Sequence, residues 1–294
     1  MEAGAFQHTL AGEAELSGTG LFSGRPATIR LLPSAEDRGI VFRRVDLNGS
    51  PAVRAAIQNV TPTPRRTTLV ASSGARVQTV EHLLAALAGL RIDNCVIEID
   101  GDEVPAMDGS SLPFCEAILA AGIQAQGQPR RTLSFAQPMA AADDRAEQRI
   151  EVTPAAGAET SICYELDYGG VTALPAQSLQ IQITPESFLR DIAGARTFVM
   201  ESEVEALRQQ GFGKHLTASD LVVFADDGTV IDNALRWPDE PVRHKILDCL
   251  GDLLLCGSPF AGNIVARRSG HQLNHVMAMV MSMSGADGQI RRAA

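Results

Sequence analysis

The sequence is short of several features that mark large classes of protein. Aromatic residues make up 4% of the 294 residues, so we expect cores built mainly from aliphatic side chains. No apolar run is long enough to cross a bilayer, and no basic segment followed by an apolar core opens the chain, so we expect neither a transmembrane segment nor a signal peptide. The arginine pairs are scattered and the net charge is −10, which argues against nucleic acid and anionic membranes as main partners.

Cysteine motifs are missing as well. The five cysteines form an odd number and no two are spaced Cys-x-x-Cys, which disfavours a disulfide framework and a cysteine-type zinc site. We therefore expect reduced thiols in a cytoplasmic protein. The chain also has no Gly-x-Ser-x-Gly elbow, no His-x-Glu paired with Pro-Cys-x-x-Cys, and no activating pattern beside a cysteine. These absences disfavour a serine hydrolase, a nucleobase deaminase and a thiol enzyme.

The pattern of predicted elements divides the chain into two halves. Alternating apolar and polar residues predict strands in both halves, and amphipathic helices follow the strands in each. The polar residues 122–131, with Gly127 and Pro129, form the predicted linker. We therefore expect an α+β protein with an N-terminal domain at residues 1–126 and a C-terminal domain at residues 127–294.

The helix predicted at residues 241–252 carries the most informative pattern. His244, Asp248 and Asp252 recur every four residues, so their side chains share one face of the helix. A histidine and an aspartate one turn apart can hold one metal ion, as in zinc motifs whose ligands share a helix face. Taken alone, the same pattern also fits the solvated polar face of an amphipathic helix.

A second predicted helix, at residues 79–89, carries Glu81 and His82. Small residues surround His82, which would let another helix approach closely. His82, His244 and Asp248 would provide two imidazoles and a carboxylate and leave a fourth position for water, which is typical of a catalytic zinc site. Glu81 would be the base for that water, whose pKa zinc lowers toward ~7. An exposed helix glutamate is the alternative interpretation.

Two further side chains suit amide hydrolysis. His271 follows Ser269 and a glycine, and Asp252 would raise its pKa if the two elements meet, which suits a general acid that protonates a leaving amine. Lys245 lies next to His244, where a cation can stabilise a tetrahedral oxyanion or hold a phosphate. A capping or surface histidine and a solvated lysine are the alternatives. The remaining histidines are interpreted as surface or core residues: His8, His215 and His275.

The stretches that carry these residues resemble the signature motifs of a known family, the UDP-3-O-acyl-N-acetylglucosamine deacetylases, which are zinc amidases of the committed step of lipid A biosynthesis. The three stretches are Thr79-Val-Glu-His-Leu83, Val242-Arg-His-Lys-Ile-Leu-Asp248 and Ser269-Gly-His271. Further matching pieces extend the resemblance over nearly the whole chain: Gly39-Ile-Val-Phe-Arg-Arg44, Ile92-Asp-Asn94, Val104-Pro-Ala-Met-Asp-Gly-Ser110 and Ala195-Arg-Thr-Phe198.

The resemblance implies two similar domains, each a β-sheet with helices, with the helices sandwiched between the two sheets. It implies a cytoplasmic enzyme that hydrolyses the N-acetyl group of UDP-3-O-(3-hydroxyacyl)-N-acetylglucosamine, with Zn²⁺ or, in cells, Fe²⁺; we expect a monomer. The implied site residues are His82, His244 and Asp248 as metal ligands, Glu81 as general base, His271 as general acid supported by Asp252, Lys245 and Thr197 at the oxyanion or substrate, Phe198 at the sugar or nucleotide, and Arg268 near the phosphates.

The sequence departs from the family pattern in three places. Phe22 stands where the family's Gly-Leu-His-Ser-Gly has histidine, and Val199 stands where glycine usually follows Ala-Arg-Thr-Phe. The stretch from His215 to Asp220 replaces a glycine-rich segment in the insert that shapes the acyl-chain passage. These departures keep two other hypotheses open: a noncatalytic nucleotide-sugar-binding homologue that retains zinc for stability, and a deacetylase of a different N-acyl sugar nucleotide.

Overall fold

The computed structural model describes residues 6–170, 174–217, 220–287 and 290–292. The strands are β1 (Phe6–Leu10), β2 (Ala14–Thr19), β3 (Pro26–Pro33), β4 (Ile40–Arg44), β5 (Ala52–Arg54), β6 (Val60–Thr61), β7 (Thr68–Val70), β8 (Arg76–Gln78), β9 (Cys95–Ile99), β10 (Ile123–Pro129), β11 (Arg131–Ser134), β12 (Met139–Asp143), β13 (Gln148–Thr153), β14 (Thr160–Leu166), β15 (Gln177–Gln182), β16 (Phe198–Met200), β17 (Val222–Phe224), β18 (Phe260–Arg267) and β19 (Ile290–Arg292). The helices are α1 (Glu81–Gly89), α2 (Leu112–Ala121), α3 (Pro185–Asp191), α4 (Glu201–Gln209), α5 (Glu240–Leu253) and α6 (His271–Asp287), with short 3₁₀ helices at Ile57–Asn59 and Leu254–Cys256. Within the described ranges, none of these helices is both long and apolar enough to cross a membrane.

Each half of the chain builds a sheet in which five strands have the same order of neighbours. The first sheet runs β2–β3–β9–β4–β5, and the second contains β12–β13–β18–β14–β15, with β11 and β19 joined to it through β18. The central strands are β9 and β18. β9 pairs antiparallel with β3 and parallel with β4, and β18 pairs antiparallel with β13 and parallel with β14. One helix precedes the central strand in the chain and another follows it. The α+β fold of two similar halves that the sequence predicted is confirmed.

Four helices, α1, α2, α5 and α6, lie between the two sheets. α1 and α5 pack against each other; α5 also contacts β14 and β15, α2 contacts β2, and α6 contacts β12 and β13. The inward-facing strand residues are largely aliphatic, as the low aromatic content predicted. Ile97 and Ile99 of β9, and Ile264 and Ala266 of β18, are almost completely buried.

The close contact between α1 and α5 depends on small residues. A Cβ atom at Gly251 of α5 would overlap the carbonyl oxygen of Glu81 and lie 3.1 Å from the backbone nitrogen of Ala85. Ala85 and Ala86 are themselves completely buried. This agrees with the prediction that the small face beside His82 admits another helix, and it brings the polar residues of α1 and α5 within reach of one another.

We expect Gly251→Ala to destabilise the protein by about 1–3 kcal/mol, the usual cost of overpacking a core. The added methyl group must push α5 away from the backbone of α1, so the variant should also bind metal more weakly if both helices supply ligands. Denaturant unfolding with and without metal measures both effects. Gly157→Ala is the control, because a Cβ atom there would have no other atom within 4 Å. Wild-type stability in Gly251→Ala would contradict the close helix contact.

The segment predicted as a linker contains a strand. Residues 123–129 form β10, which pairs antiparallel with β1. Most of its side chains are exposed, so the strand is held by backbone pairing more than by burial, and its composition resembles that of a loop. The domain boundary between residues 126 and 127 stays a prediction, and it would fall within this strand.

Candidate active site

Three helices converge on a cluster of polar side chains in the interior. α1 supplies Glu81 and His82 at its first turn, α5 supplies residues from three successive turns of one face, and α6 begins at His271. The completely or almost completely buried members are Glu81, His82, His244, Asp248 and Asp252. Neither the solvated polar face considered for α5 nor the exposed glutamate considered for α1 is observed.

His82, His244 and Asp248 form a group suited to one metal ion. One ligand atom from each side chain lies within 4.8 Å of the others. Asp248 Oδ1 is 3.7 Å from His82 Nε2 and 3.3 Å from His244 Nε2. This buried oxygen has no hydrogen-bond partner among the described residues, which is costly unless a cation satisfies it. Two imidazoles and a carboxylate are a donor set that fits a divalent metal with a position left open.

A buried ion pair holds in place the backbone carbonyl that orients the imidazole of His244. Arg196 Nε donates to Glu240 Oε1 at 2.8 Å, which ties the segment before β16 to the first turn of α5. The carbonyl oxygen of Ala195 consequently lies 3.0 Å from His244 Nδ1. Because a carbonyl only accepts, Nδ1 carries the proton, and Nε2 keeps its lone pair for a metal.

The pKa shifts keep this group in the protonation states that metal binding needs. Burial lowers the pKa of His82 to about 3, and burial also lowers the pKa of His244, so both imidazoles are neutral near pH 7. Burial would raise the pKa of Asp248, but His244 and Lys245 hold that pKa below its ordinary value. Neutral imidazoles and an ionised carboxylate are the forms that coordinate a cation.

Glu81 has the environment of an acid–base group. Its Oε2 accepts a hydrogen bond from the backbone nitrogen of Thr67 at 3.1 Å, and its Oε1 lies 3.9 Å from His271 Nε2. Burial raises the pKa of Glu81 to about 7. A carboxylate with a pKa near neutrality can both accept and release a proton under working conditions.

His271 is oriented and charged by Asp252. Its Nδ1 donates to Asp252 Oδ2 at 2.8 Å, which leaves Nε2 on the side of Glu81. Burial lowers the pKa of His271. The charge of Asp252 and the hydrogen bond to it have a larger effect in the opposite direction, so the pKa is raised overall to about 9. A protonated imidazole held in this way is able to donate a proton from Nε2.

The structure brings Lys245, Thr197 and Phe198 to the same cleft. Lys245 Nζ donates to Asp248 Oδ2 at 2.5 Å; burial lowers the pKa of this amine, but Asp248 raises it above the ordinary value, so the ammonium stays charged. The ring of Phe198 meets His244 edge-on, with centroids 6.3 Å apart. A cation and an aromatic ring therefore border the metal group.

Arg268 is placed differently from the other predicted site residues. Its guanidinium donates to Glu147 Oε2 at 2.6 Å and to Asp167 Oδ2 at 2.7 Å, and it does not line the cleft. Two carboxylates thus surround the cation that the family resemblance places near the phosphates. Its role near phosphates stays a prediction.

The cleft over the polar cluster has a volume of about 1530 Å³ and extends along the insert formed by β16, α4 and β17. The insert contributes polar residues and a group of apolar ones to the wall of this cleft, and the apolar ones include Val204, Leu207, Phe212, Leu216, Leu221 and Val223. The apolar side chains of this part of the cleft suit a hydrocarbon chain better than a polar ligand.

Two of the three departures from the family pattern lie near each other at the cleft. Phe22 meets Phe212 of the insert edge-on, with ring centroids 5.7 Å apart. The guanidinium of Arg66 lies 4.3 Å from the centre of the Phe22 ring and 5.3 Å from that of Phe212. His215 packs against Gly24 of the same loop as Phe22. The loop between β2 and β3 therefore contacts the insert directly; positions 218 and 219 of the altered stretch lie outside the described residues.

Sequence reasoning missed two members of the cluster, His275 and Thr67. His275 Nε2 lies 2.8 Å from Thr67 Oγ1 and 3.5 Å from Asp252 Oδ1, and its ring stacks on that of His271. The spacing of four residues from His271 was a signal that both histidines share a helix face. No comparable signal marked Thr67, which precedes β7 and is 185 residues from Asp252 and 208 from His275 in the sequence.

Comparison with known proteins gives a consistent result. A family model for UDP-3-O-acyl N-acetylglycosamine deacetylase matches residues 7–282. Curated relatives called UDP-3-O-acyl-N-acetylglucosamine deacetylase include one from a Geobacter species, 39% identical over 92% of this chain and 87% of the relative, and one from Myxococcus xanthus, 39% identical over 94% of this chain and 86% of the relative. A relative of the same name from Bdellovibrio bacteriovorus is 38% identical over 91% of this chain and 86% of its own length.

Proposed function

The chain belongs to the UDP-3-O-acyl N-acetylglycosamine deacetylase family, and we propose that it hydrolyses the N-acetyl group of UDP-3-O-(3-hydroxyacyl)-N-acetylglucosamine, releasing acetate in the committed step of lipid A biosynthesis. The observation that carries this proposal is that three candidate metal ligands lie beside a candidate general base and a candidate general acid. Glu81 Oε1 and His271 Nε2 lie 3.9 Å apart beside the three candidate ligands. A site that used its metal for stability alone would need neither side chain.

We propose that His82, His244 and Asp248 hold Zn²⁺, with Fe²⁺ as the alternative in cells. The support is the donor set, the neutral imidazoles and the orphaned oxygen of Asp248. A bound divalent cation supplies a Lewis acid, which polarises the amide carbonyl and lowers the pKa of a nearby water.

The acid and base roles follow from the two pKa values, both raised, that of Glu81 to about 7 and that of His271 to about 9. Glu81, whose pKa burial raises to about 7, accepts a proton from the water that attacks the acetyl carbon. His271 is charged at neutral pH because burial lowers its pKa less than Asp252 raises it, to about 9. It donates the Nε2 proton to the sugar nitrogen as the C–N bond breaks, so that a neutral amine and acetic acid leave, and the acid loses its proton to solvent to give acetate. Two titratable groups with separated roles are the arrangement expected for general acid–base catalysis.

The other residues stabilise charge and hold the substrate. Lys245 and Thr197 donate toward the oxyanion or the sugar, and Phe198 packs against the sugar or nucleotide; all three line the cleft. Arg268 would meet the phosphates only by exchanging a partner, since it already pairs with Glu147 and Asp167. The apolar wall of the insert takes the acyl chain.

We also propose that the protein works as a monomer in the cytoplasm. All five cysteines are free thiols, which fits a reducing compartment. Every side chain in the proposed reaction comes from one chain, so no second copy is needed to complete the site.

The decisive experiment measures acetate release from the UDP-linked substrate by purified, chelated and zinc-restored protein. Turnover should disappear on chelation and return with about one zinc per chain, the stoichiometry of a three-ligand site. Tight binding of the nucleotide sugar by zinc-loaded protein without acetate release would support the noncatalytic hypothesis instead. Turnover confined to a different N-acyl sugar nucleotide would support the third hypothesis.

A pH profile tests the proposed acid. We expect Asp252→Asn to move the alkaline limb of kcat/KM to lower pH by about 1–3 units, the effect of removing one nearby opposite charge. The sign follows because Asp252 raises the pKa of His271, so without this carboxylate the imidazole loses its proton at lower pH. Asp144→Asn, an exposed carboxylate in the turn between β12 and β13, is the control. An unchanged limb would assign the alkaline limb to another group.

A further inference from the structure

Thr67 connects the proposed base to the proposed acid. Its backbone nitrogen donates to Glu81 Oε2 at 3.1 Å, and its hydroxyl donates to Asp252 Oδ1 at 2.6 Å. The other oxygen of Asp252 accepts from His271 Nδ1 at 2.8 Å and from Asn274 Nδ2 at 2.9 Å. The orientation of the acid therefore depends on a carboxylate that Thr67 helps to fix.

The hydrogen bonds of the Thr67 hydroxyl determine which ring nitrogen of His275 is protonated. A hydroxyl has one proton, and an ionised carboxylate can only accept. Because Thr67 gives its proton to Asp252, its oxygen must accept from His275 Nε2, 2.8 Å away. His275 consequently carries a proton on Nε2, whereas His271 carries one on Nδ1 toward Asp252. The two stacked imidazoles thus approach one carboxylate through different nitrogens.

We propose that His275 is a positioning residue for the deacetylation reaction, and this inference rests on the proposed function. Its Nε2–H bond holds the Thr67 hydroxyl with the proton directed at Asp252, and Asp252 in turn orients His271. In the described part of the chain, no other group donates to this hydroxyl oxygen. His275 also borders the cleft, with a side chain that is 11% exposed, so water can compete for the hydroxyl once the imidazole is removed.

A double-mutant cycle tests whether His275 acts through Thr67. His275→Phe keeps an aromatic ring but removes the donor, and we expect kcat to fall by roughly 10–100-fold, the usual cost of losing a residue that orients an active group. KM should stay within about twofold, because the proposal gives His275 no contact with substrate. His275→Gln, whose amide nitrogen can replace Nε2 as donor, should recover most of the rate.

The combined variant His275→Phe/Thr67→Val should be no slower than Thr67→Val alone, because both changes remove the same interaction. Additive losses would overturn the proposed route through Thr67. A raised KM with unchanged kcat would overturn the positioning role and make His275 a substrate-binding residue. Met283→Ala, an exposed position on the same helix, is the control and should leave both constants unchanged.

Imidazole ¹⁵N spectra test the inference without substrate. We expect a protonated Nε2 on His275 and a protonated Nδ1 on His271, with the His275 signals changing in Thr67→Val. A wild-type His275 that carries its only proton on Nδ1 would overturn the proposal. If the protein failed to release acetate from the UDP-linked substrate, the proposed function would fall, whereas these spectra would still decide the hydrogen-bond arrangement.

Discussion

Replacing Glu81 by glutamine should reduce kcat by about 10²–10⁴-fold, the contribution typical of a general base, and leave the metal content close to that of the wild type. Glutamine keeps the shape of the side chain and an oxygen that can accept from the Thr67 nitrogen, 3.1 Å from Glu81 Oε2. It cannot accept the proton of the attacking water. The predicted loss therefore belongs to proton transfer and not to packing.

The measurement combines acetate release with metal analysis on the same samples. Glu186→Gln is the matched control, because Glu186 also lies in the first turn of a helix but is exposed. Turnover at the wild-type rate in Glu81→Gln would remove Glu81 as the base. Loss of turnover together with loss of metal would instead assign Glu81 to the ligand set.

The parts of the site that lie on one helix face could be predicted from the sequence. The four-residue spacing of His244, Asp248 and Asp252 indicated a shared face, and the small residues beside His82 indicated a close helix contact. The structure has both features, since Gly251 of α5 packs against the backbone of α1. Local periodicity contains this information because a helix of 3.6 residues per turn repeats its faces at fixed intervals.

Interactions between distant segments could not be predicted in this way. Thr67 and His275 are separated by 208 residues, and neither has a sequence pattern that points to the other. Arg268 matched a motif position, but its pairing with Glu147 and Asp167 depends on how β13, β14 and β18 align. β10 was missed for a related reason, because a strand stabilised by backbone pairing needs no apolar alternation in its own sequence.

The polar cluster also explains why metal should matter for folding as well as for chemistry. Asp248 is buried with its Oδ2 paired to Lys245, but its Oδ1 has no hydrogen-bond partner among the described residues, and an unsatisfied buried carboxylate oxygen costs free energy that a bound cation would recover. The protein should therefore become more stable when zinc binds. The gain is about 2.7 kcal/mol at a free metal concentration of 100 times Kd.

Replacing Asp248 by alanine should abolish this stabilisation and the turnover together. The variant loses one of three candidate ligands. Losing a residue that only orients a ligand lowers metal affinity by up to about 100-fold, so we expect the loss of a ligand itself to lower it by at least that factor. It also leaves Lys245 without the carboxylate oxygen that lies 2.5 Å from its ammonium. Thermal unfolding with and without zinc, together with acetate release, measures the three effects.

Asp252→Asn is the matched control, because Asp252 is a buried carboxylate on the same face of the same helix and lies one turn beyond Asp248. Its oxygens accept from Thr67, His271 and Asn274, so we expect this variant to keep the zinc-dependent rise in Tm while its rate falls. Loss of the zinc-dependent rise in Tm in Asp248→Ala but not in Asp252→Asn would assign Asp248 to the metal and Asp252 to the general acid. The reverse outcome, with zinc binding lost in Asp252→Asn and retained in Asp248→Ala, would contradict the ligand set.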